Sequence, residues 1–419
     1  MKKYDKYKDS GIEWIALIPT HWQEIKLKYL SEIQTGSKDT VDREEYGIYP
    51  FFVRSKNIER INSYSFDGEA ILTAGDGDIG KIFHYINGKF DFHQRVYRIS
   101  NFKTIRAQYL YFFMQSNFYN EVIRISAKST VDSLRLPMLQ NFYCLIPTQS
   151  EQDAIANFLN RKASEIERLI EIKEKLVELY EESKTAIINQ AVTKGIDPDT
   201  EYKNSGIEWF EEIPTHWELK KLRHIGNCQN GISQGADYFG SGYPFVSYSD
   251  VYKYEVLPEN ILGLANSSDS DRINYSVLKG DILFTRTSET VEEIGIASTC
   301  MKTIPNAIFS GFLIRVRSYK DILFEGFSKY YFRAKIHRRF FVNEMNLVTR
   351  ASLSQELLKR MPVLLPPYEE QITIAQHLES ETGKIDLLIE KTKKLIELLK
   401  EYKTALISEV VTGKIKVTE

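Results

Sequence analysis

The sequence predicts an α+β protein. Two pseudo-twofold-related modules, mostly antiparallel β with short helices, are separated by two long helices that form an antiparallel coiled coil. Three observations predict it. Residues Tyr7–Trp22 (YKDSGIEWIALIPTHW) recur as Tyr202–Trp217 (YKNSGIEWFEEIPTHW), with twelve of sixteen positions identical at an offset of 195. IPTQSEQDAIANFL, ending at Leu159, recurs as LPPYEEQITIAQHL, ending at Leu378, at an offset of 219. Apolar residues within and beyond this second repeat follow the 3/4 alternation of a coiled-coil seam. The offsets differ by 24 residues, so the extra length of the second half falls between the repeats, inside the module.

In chain order the reading gives a framing segment (1–22), a first module (23–148), a long helix (149–195), a repeated frame (196–217), a second module (218–367) and a second long helix (368–419). Pro147 and Pro366-Pro367 precede the helices. Ser150-Glu151-Gln152 and Glu369-Glu370-Gln371 supply the polar and acidic first turns that suit a helix N-terminus. The predicted helix-pair positions are Ile155, Leu159, Ile166, Leu169 and Leu176, matched 219 residues on by Ile374, Leu378, Ile385, Leu388 and Leu395. Each helix covers about 40 residues, roughly 60 Å at 1.5 Å per residue, which outreaches an ordinary globular core. The other copy is the simplest partner for each exposed stripe. The modules carry short aromatic and β-branched runs broken by Gly, Asn, Asp and Ser, the signature of antiparallel strands. YPFFVRSKNI, GEAILTAGDG and KFDFHQRVYRI in the first appear in the same order as GYPFVSYSDV, GDILFTRTS and AIFSGFLIRVRS in the second. A short helix follows in each, AQYLYFFMQSNFYNEVI and EGFSKYYFRAKIHRRFF.

Composition is that of a globular chain, 42% hydrophobic with a formal net charge of −2. That balance gives no global attraction to a polyanion, so any such surface is local or shared with a partner. Cys144, Cys228 and Cys300 lie far apart without metal-ligand spacing and fit a reducing compartment. With no signal-like apolar core and no run of 18 apolar residues, the expectation is a soluble, cytoplasmic protein.

Catalytic lookalikes fail on chemistry. Gly75-Asp76-Gly77-Asp78-Ile79-Gly80-Lys81-Ile82 approaches a phosphate-binding loop. Ile82 stands where a magnesium-binding hydroxyl is needed, two aspartates would repel phosphate, and a strand rather than a helix follows. Leu365-Pro366-Pro367-Tyr368 approaches an adenine amino-methyltransferase motif, but Leu365 has no side-chain acceptor. His21 and His216, both in Pro-Thr-His-Trp, lack a second ligand at i+4 and mark a repeated structural corner. Glu-x-Lys triplets on the long helices read as solvated i,i+3 and i,i+4 partners. No catalytic residue, metal site or cofactor site is expected in this chain.

Two modules held at a fixed spacing suit a polymer, and the local charge points to DNA. Lys329–Phe341 interleaves basic and aromatic residues, and the first module gathers basic side chains, Arg98 among them, around its turns. Candidate DNA-binding residues in the first module are Arg54, Lys56, Lys81, His93, Gln94, Arg95, Lys128, Ser129 and Thr130. In the second they are Ser247, Ser249, Arg286, Thr287, Ser310, Thr349, Arg350 and Ser352. Between modules Arg54 is matched with Ser247, Lys56 with Ser249, His93-Gln94 with Ser310-Gly311, and Ala74 with Arg286.

The frame Ser-Gly-Ile-Glu-Trp…Ile-Pro-Thr-His-Trp, repeated before each module, resembles the opening of Type I restriction-modification specificity subunits. The Pro147…Glu151-Gln152 and Pro366-Pro367…Glu370-Gln371 segments are similar to that family's central spacer regions, and Gly280–Arg286 resembles a strand and loop of its target-recognition domains. The resemblance covers essentially the whole chain. It implies that each module reads one half of a split double-stranded DNA site while the helices fix the gap. It also implies partners: two methylation subunits that bind S-adenosylmethionine and methylate adenine, and restriction subunits that use ATP and Mg. None of these cofactors is expected on this chain. The alternatives left open are a non-catalytic protein scaffold and a free-standing adenine methyltransferase.

Overall fold

The computed structural model describes residues 2–126, 133–288, 293–344 and 351–417. The chain forms two compact units, one of Met1–Glu174 with Lys393–Glu419 and the other of Lys175–Thr392.

In the first unit the frame strands Tyr7–Asp9 and Leu17–Pro19 pair as a small antiparallel hairpin, and Gln23–Lys26 pairs with Tyr143–Ile146. The main sheet has six strands in the order Glu32–Thr35, Val96–Ser100, Phe66–Ala74, Phe83–Phe92, Tyr49–Phe52, Ile58–Ile61. One pairing, Phe51 with Asp91 and Phe52 with Phe92, is parallel. One face of the sheet contributes Ile71 and Ile99 to a core shared with the helix Ala107–Ser126 and with the frame residues Ile18 and Trp22. The other face buries Phe52, Ala70, Leu72, Phe90, Phe92 and Val96. Alternation along the strands thus fills two cores, as the period of two requires.

The second unit repeats this plan. Tyr202–Asn204 pairs with Glu212–Pro214, and Glu218–Lys221 with Pro362–Leu365. Gly226–Asn230, Leu313–Ser318, Ile282–Thr285 and Ala297–Thr299 form one sheet; Leu264–Ala265, Phe239–Val246 and Ile308–Phe309 form another. Two pieces, Ala297–Thr299 and Ile308–Phe309, take the place of the single long strand Phe83–Phe92. The ladders give the register between units directly. Gln34 faces Arg98 as Gln229 faces Arg315, and Leu72 faces Arg98 as Leu283 faces Arg315. The offset is therefore 194 at Phe52/Val246 and 211 at Leu72/Leu283. Most of the 24 extra residues lie in the stretch between, which carries the helices Tyr248–Lys253 and Asp269–Asn274. The expected short helix near 325–341 is broken into Glu325–Tyr331, the 3-10 turn Lys335–His337 and Arg338–Glu344.

The two long helices are Gln149–Lys194 and Tyr368–Val411. A Thr148-x-x-Glu151 capping box starts the first: Thr148 Oγ1 and N–H both donate to Glu151 Oε2, at 2.8 and 3.1 Å. Within each unit the segments of the two helices run antiparallel. In the first unit Ile155, Leu159 and Ile166 share a core with Leu406, Ile407, Val410 and Val411, and Glu167 pairs with Lys403. In the second unit Ala191 and Val192 share a core with Ile374, Ala375 and Leu378, and Lys184 reaches Asp386 at 2.8 Å. The seam corrects part of the sequence reading. Ile155, Leu159, Ile166, Ile374, Leu378 and Ile385 are buried, but Leu169, Leu388 and Leu395 are 46%, 43% and 40% exposed. Each precedes by one residue a side chain that is more buried, namely Ile170, Ile389 and Ile396, and one residue is a rotation of about 100° around a helix. Leu176 is half-buried beside Val177.

Candidate nucleic-acid interface

The chain leaves the strands that end at Thr35, Phe52, Ala74 and Phe92 in four loops that lie against one another. Gly36 lets two of them touch: a Cβ there would lie 2.0 Å from the Phe92 carbonyl oxygen. The loops converge on Asp76. Its carboxylate accepts from Arg54 Nη1 at 3.3 and 3.2 Å and from Arg95 Nη1 at 3.3 Å. The Asp76 side chain is 17% exposed, whereas those of Arg54 and Arg95 are 46% and 62% exposed. Burial of the acid beneath two arginines leaves two guanidiniums facing outward from one anchor. Beside them Gln94 donates to Asp39, whose carboxyl is held below its usual range first by the Thr40 backbone N–H. Lys81 lies 4.9 Å from the Tyr119 ring centroid, and Lys56 is exposed.

The second unit builds the same loops with different side chains. Gly231 presses on the Phe309 and Ser310 carbonyls as Gly36 presses on Phe92. His93 N–H donates to Phe52 O and Ser310 N–H to Val246 O. Gly75 N–H donates to Arg95 O, and Leu134 N–H to Gly75 O; Arg286 N–H donates to Phe312 O, and Leu353 N–H to Arg286 O. These bonds shift three pairings read from the sequence by one residue. Arg286 stands opposite Gly75, not Ala74, and Arg54 corresponds to Tyr248, not Ser247; by the same count Lys56 corresponds to Asp250. Asp76 and Arg95 therefore correspond to Thr287 and Phe312. Phe312 is 60% exposed.

Several candidates support the loops instead of facing outward. His93 and Ser310 are 2% and 6% exposed. Each accepts the backbone N–H two residues ahead, His93 Nδ1 from Arg95 at 2.9 Å and Ser310 Oγ from Phe312 at 3.2 Å. Offered as DNA-binding candidates, both are placed by the structure as buried parts that hold the turn through the N–H each accepts. Arg286 is half-buried and donates Nη1 to Gly311 O at 3.1 Å. Ser247 caps the helix Tyr248–Lys253 and donates to Asp250. Ser249 and Ser352 are exposed, and Thr287 is half-buried and pairs with Ser352. Lys128, Ser129, Thr130, Thr349 and Arg350 lie outside the described residues.

Sequence reading put Arg98 with the basic side chains around the turns and did not single out Arg315; the structure buries both as a matching pair. Arg98 and Arg315 are 7% and 6% exposed, and both donate to a glutamine on the neighbouring strand, Gln34 and Gln229. Their guanidiniums lie 5.5 and 5.2 Å from the rings of Phe92 and Phe309. Burial pushes Arg315 down to about 10, so it stays charged at neutral pH. Identity at both positions, with Gln at the 195 offset, was the available signal. The repeated corner histidines also find partners: His21 Nε2 bonds Glu151 at 3.0 Å and His216 Nε2 bonds Glu370 at 2.8 Å.

Gly75–Ile82 joins the antiparallel strands Phe66–Ala74 and Phe83–Phe92, with no helix after it. Leu365 ends a strand and Tyr368 begins a helix, so the prolines form a stop. Among the described residues no group of three or more His, Cys, Asp or Glu is placed to hold a metal ion, and no helix is long and apolar enough to cross a membrane.

The family model for the Type I restriction modification DNA specificity domain matches residues 19–178 and 214–398. The specificity subunit of the Type I restriction enzyme EcoDI of Escherichia coli is 22% identical over 386 residues, covering 86% of this chain and 81% of that protein. The MjaVIII specificity subunit of Methanocaldococcus jannaschii is 24% identical over 433 residues, covering 96% and 94%. Among solved structures, a chain from a study of complex assembly and conformational transition of the type I R-M system superposes with a TM-score of 0.67 at 13% identity, covering 95% and 99%. The HsdS subunit from Thermoanaerobacter tengcongensis gives 0.56 at 13% identity, covering 95% and 98%. Each match window runs from the last residues of a frame through a module with its loop cluster into a long helix, and the chain belongs to the family of Type I restriction modification DNA specificity domains, the recognition and not the catalytic part of those systems.

Proposed function

We propose that this chain reads a bipartite double-stranded DNA site, one unit per half-site, and scaffolds the methylation and restriction subunits of its system. One observation carries the reading: the same loop cluster, held by the same backbone bonds, recurs in both units with different outward side chains. Arg54, Asp76 and Arg95 occupy in one unit what Tyr248, Thr287 and Phe312 occupy in the other. A fixed backbone with exchanged tips is what reading two different half-sequences requires, because base edges are distinguished by side-chain donors, acceptors and apolar contacts. With a net charge of −2 the chain brings little phosphate attraction of its own, so much of the phosphate contact falls to partners. S-adenosylmethionine, ATP and Mg are assigned to those partners, and the site of action to the cytoplasm. Mapping methylated adenines genome-wide, with and without this gene, tests the reading. The expected result is a split motif with an insensitive centre that vanishes on deletion. A reconstituted complex without DNA affinity would support a protein scaffold instead, and methyl transfer by the chain alone would overturn the assignment.

A further inference from the structure

Resting on that reading, we infer that the first unit recognises guanine through Arg54 and Arg95 acting as a pair, with Asp76 as the residue that positions both. Three loops, those following Phe52, Ala74 and Phe92, each contribute one member, and the three meet at a single carboxylate. Each arginine commits Nη1 to Asp76, and both side chains remain about half or more exposed above it. A guanidinium held this way keeps its planar fork of donors oriented. In the major groove guanine alone offers two adjacent acceptors, N7 and O6, that match such a fork. Adenine presents a donor at N6, and a cytosine edge presents a donor at N4, so both meet the pair with like against like.

The second unit shows what the arrangement is for by lacking it. At the corresponding places stand Tyr248, Thr287 and Phe312, so the arginine–carboxylate–arginine triad is not repeated at those positions. Arg286 enters those loops but donates Nη1 to Gly311 O. The arginine-pair code therefore belongs to one half-site, and the other is read by an exposed aromatic tip, which suits the thymine methyl group.

The test uses the complete complex, co-expressed with its methylation subunits, and reads methylated motifs genome-wide for the wild type and for Arg54→Ala, Arg95→Ala, Arg95→Lys and Asp76→Asn. The wild type is expected to require a G:C pair in one half-site. Both alanine variants should relax discrimination there by about tenfold or more, while the other half-site stays unchanged. Arg95→Lys keeps the charge without the fork, and Asp76→Asn keeps the volume without the anchor charge; both should relax the same base pair. An unchanged motif in stably folded variants overturns the inference, as does relaxation at a base pair without guanine. Uniformly weaker methylation at an unaltered motif would show phosphate contacts and also overturn it. Failure of the parent reading is distinct, since it would appear already in the wild type as a motif that is not split.

Discussion

His337 is fully buried among Phe210, Tyr331 and Phe332, where the first unit has Phe118 at the 219 offset. Among the described residues neither imidazole nitrogen has a partner with full hydrogen-bond geometry, the Tyr331 backbone making only a weak contact. Burial pushes its pKa down to about 3, opposed only in part by the Tyr331 backbone. A buried unmet polar group costs about 1–3 kcal/mol, so His337→Phe should raise stability by about 1 kcal/mol, seen as a higher melting midpoint. The sign of the pH effect follows from the same burial. Between pH 6.5 and about 3 the unfolded chain binds a proton that the folded unit excludes, so acidification through that window destabilises the fold. Above 6.5 the residue is neutral in both states and contributes no slope. From pH 6.5 to 5 the wild type should lose about 2 kcal/mol more than His337→Phe. Equal pH profiles for the two proteins would show that the imidazole is solvated.

At the scale of elements, the glutamines at the start of the long helices hold each module onto its helix. Gln152 and Gln371 are both 0% exposed. Gln152 donates to the Pro147 and Thr104 carbonyls and accepts from Arg106 N–H. Gln371 donates to the Pro366 and Ile322 carbonyls and accepts from Phe324 N–H. Three backbone groups in each unit thus depend on one side chain. Gln371→Leu should cost about 2–4 kcal/mol, and Gln371→Glu, which keeps the acceptor but turns a carboxylate toward two carbonyls, should be no milder. Denaturant unfolding of both variants measures it; a loss within about 0.5 kcal/mol would mean that water replaces the amide. The repeat made these residues visible in the sequence, but as first-turn polar groups, because two of the three partners of each lie almost fifty positions away. The helices were legible for the opposite reason, since a seam is a local period. Even there a 3/4 alternation admits both Leu169 and Ile170, and packing chooses Ile170. The loop pairings slipped by one residue because matching letters such as Thr73 and Thr285 outweighed a hydrogen-bond ladder that no sequence displays.

At the scale of the whole molecule, the two units are closed by the same contacts, and these closures differ in where the chain is continuous. In the second unit Tyr202 Oη donates to Lys194 O at 3.2 Å, joining the frame to the helix that leads into it. In the first unit Tyr7 Oη donates to Gly413 O at 3.2 Å, joining the frame to a helix end four hundred residues away. Trp22 and Trp217 are both fully buried at these junctions. Lys416 N–H donates to Lys2 O at 2.9 Å, so the segments to be joined already touch. A circular permutant that links residue 417 to residue 2 through a short Gly/Ser linker and opens between Ile196 and Thr200 keeps every one of these contacts. It should fold, melt within a few degrees of the parent, and direct methylation to the same motif when co-expressed with the partner subunits. Truncation after Lys403 provides the contrast: it removes Leu406, Ile407, Val410 and Val411 from the first unit's core and should unfold that unit. A permutant that fails to fold, or one that folds but methylates a different motif, would show that chain continuity at Gly195–Tyr202 does more than close the second unit.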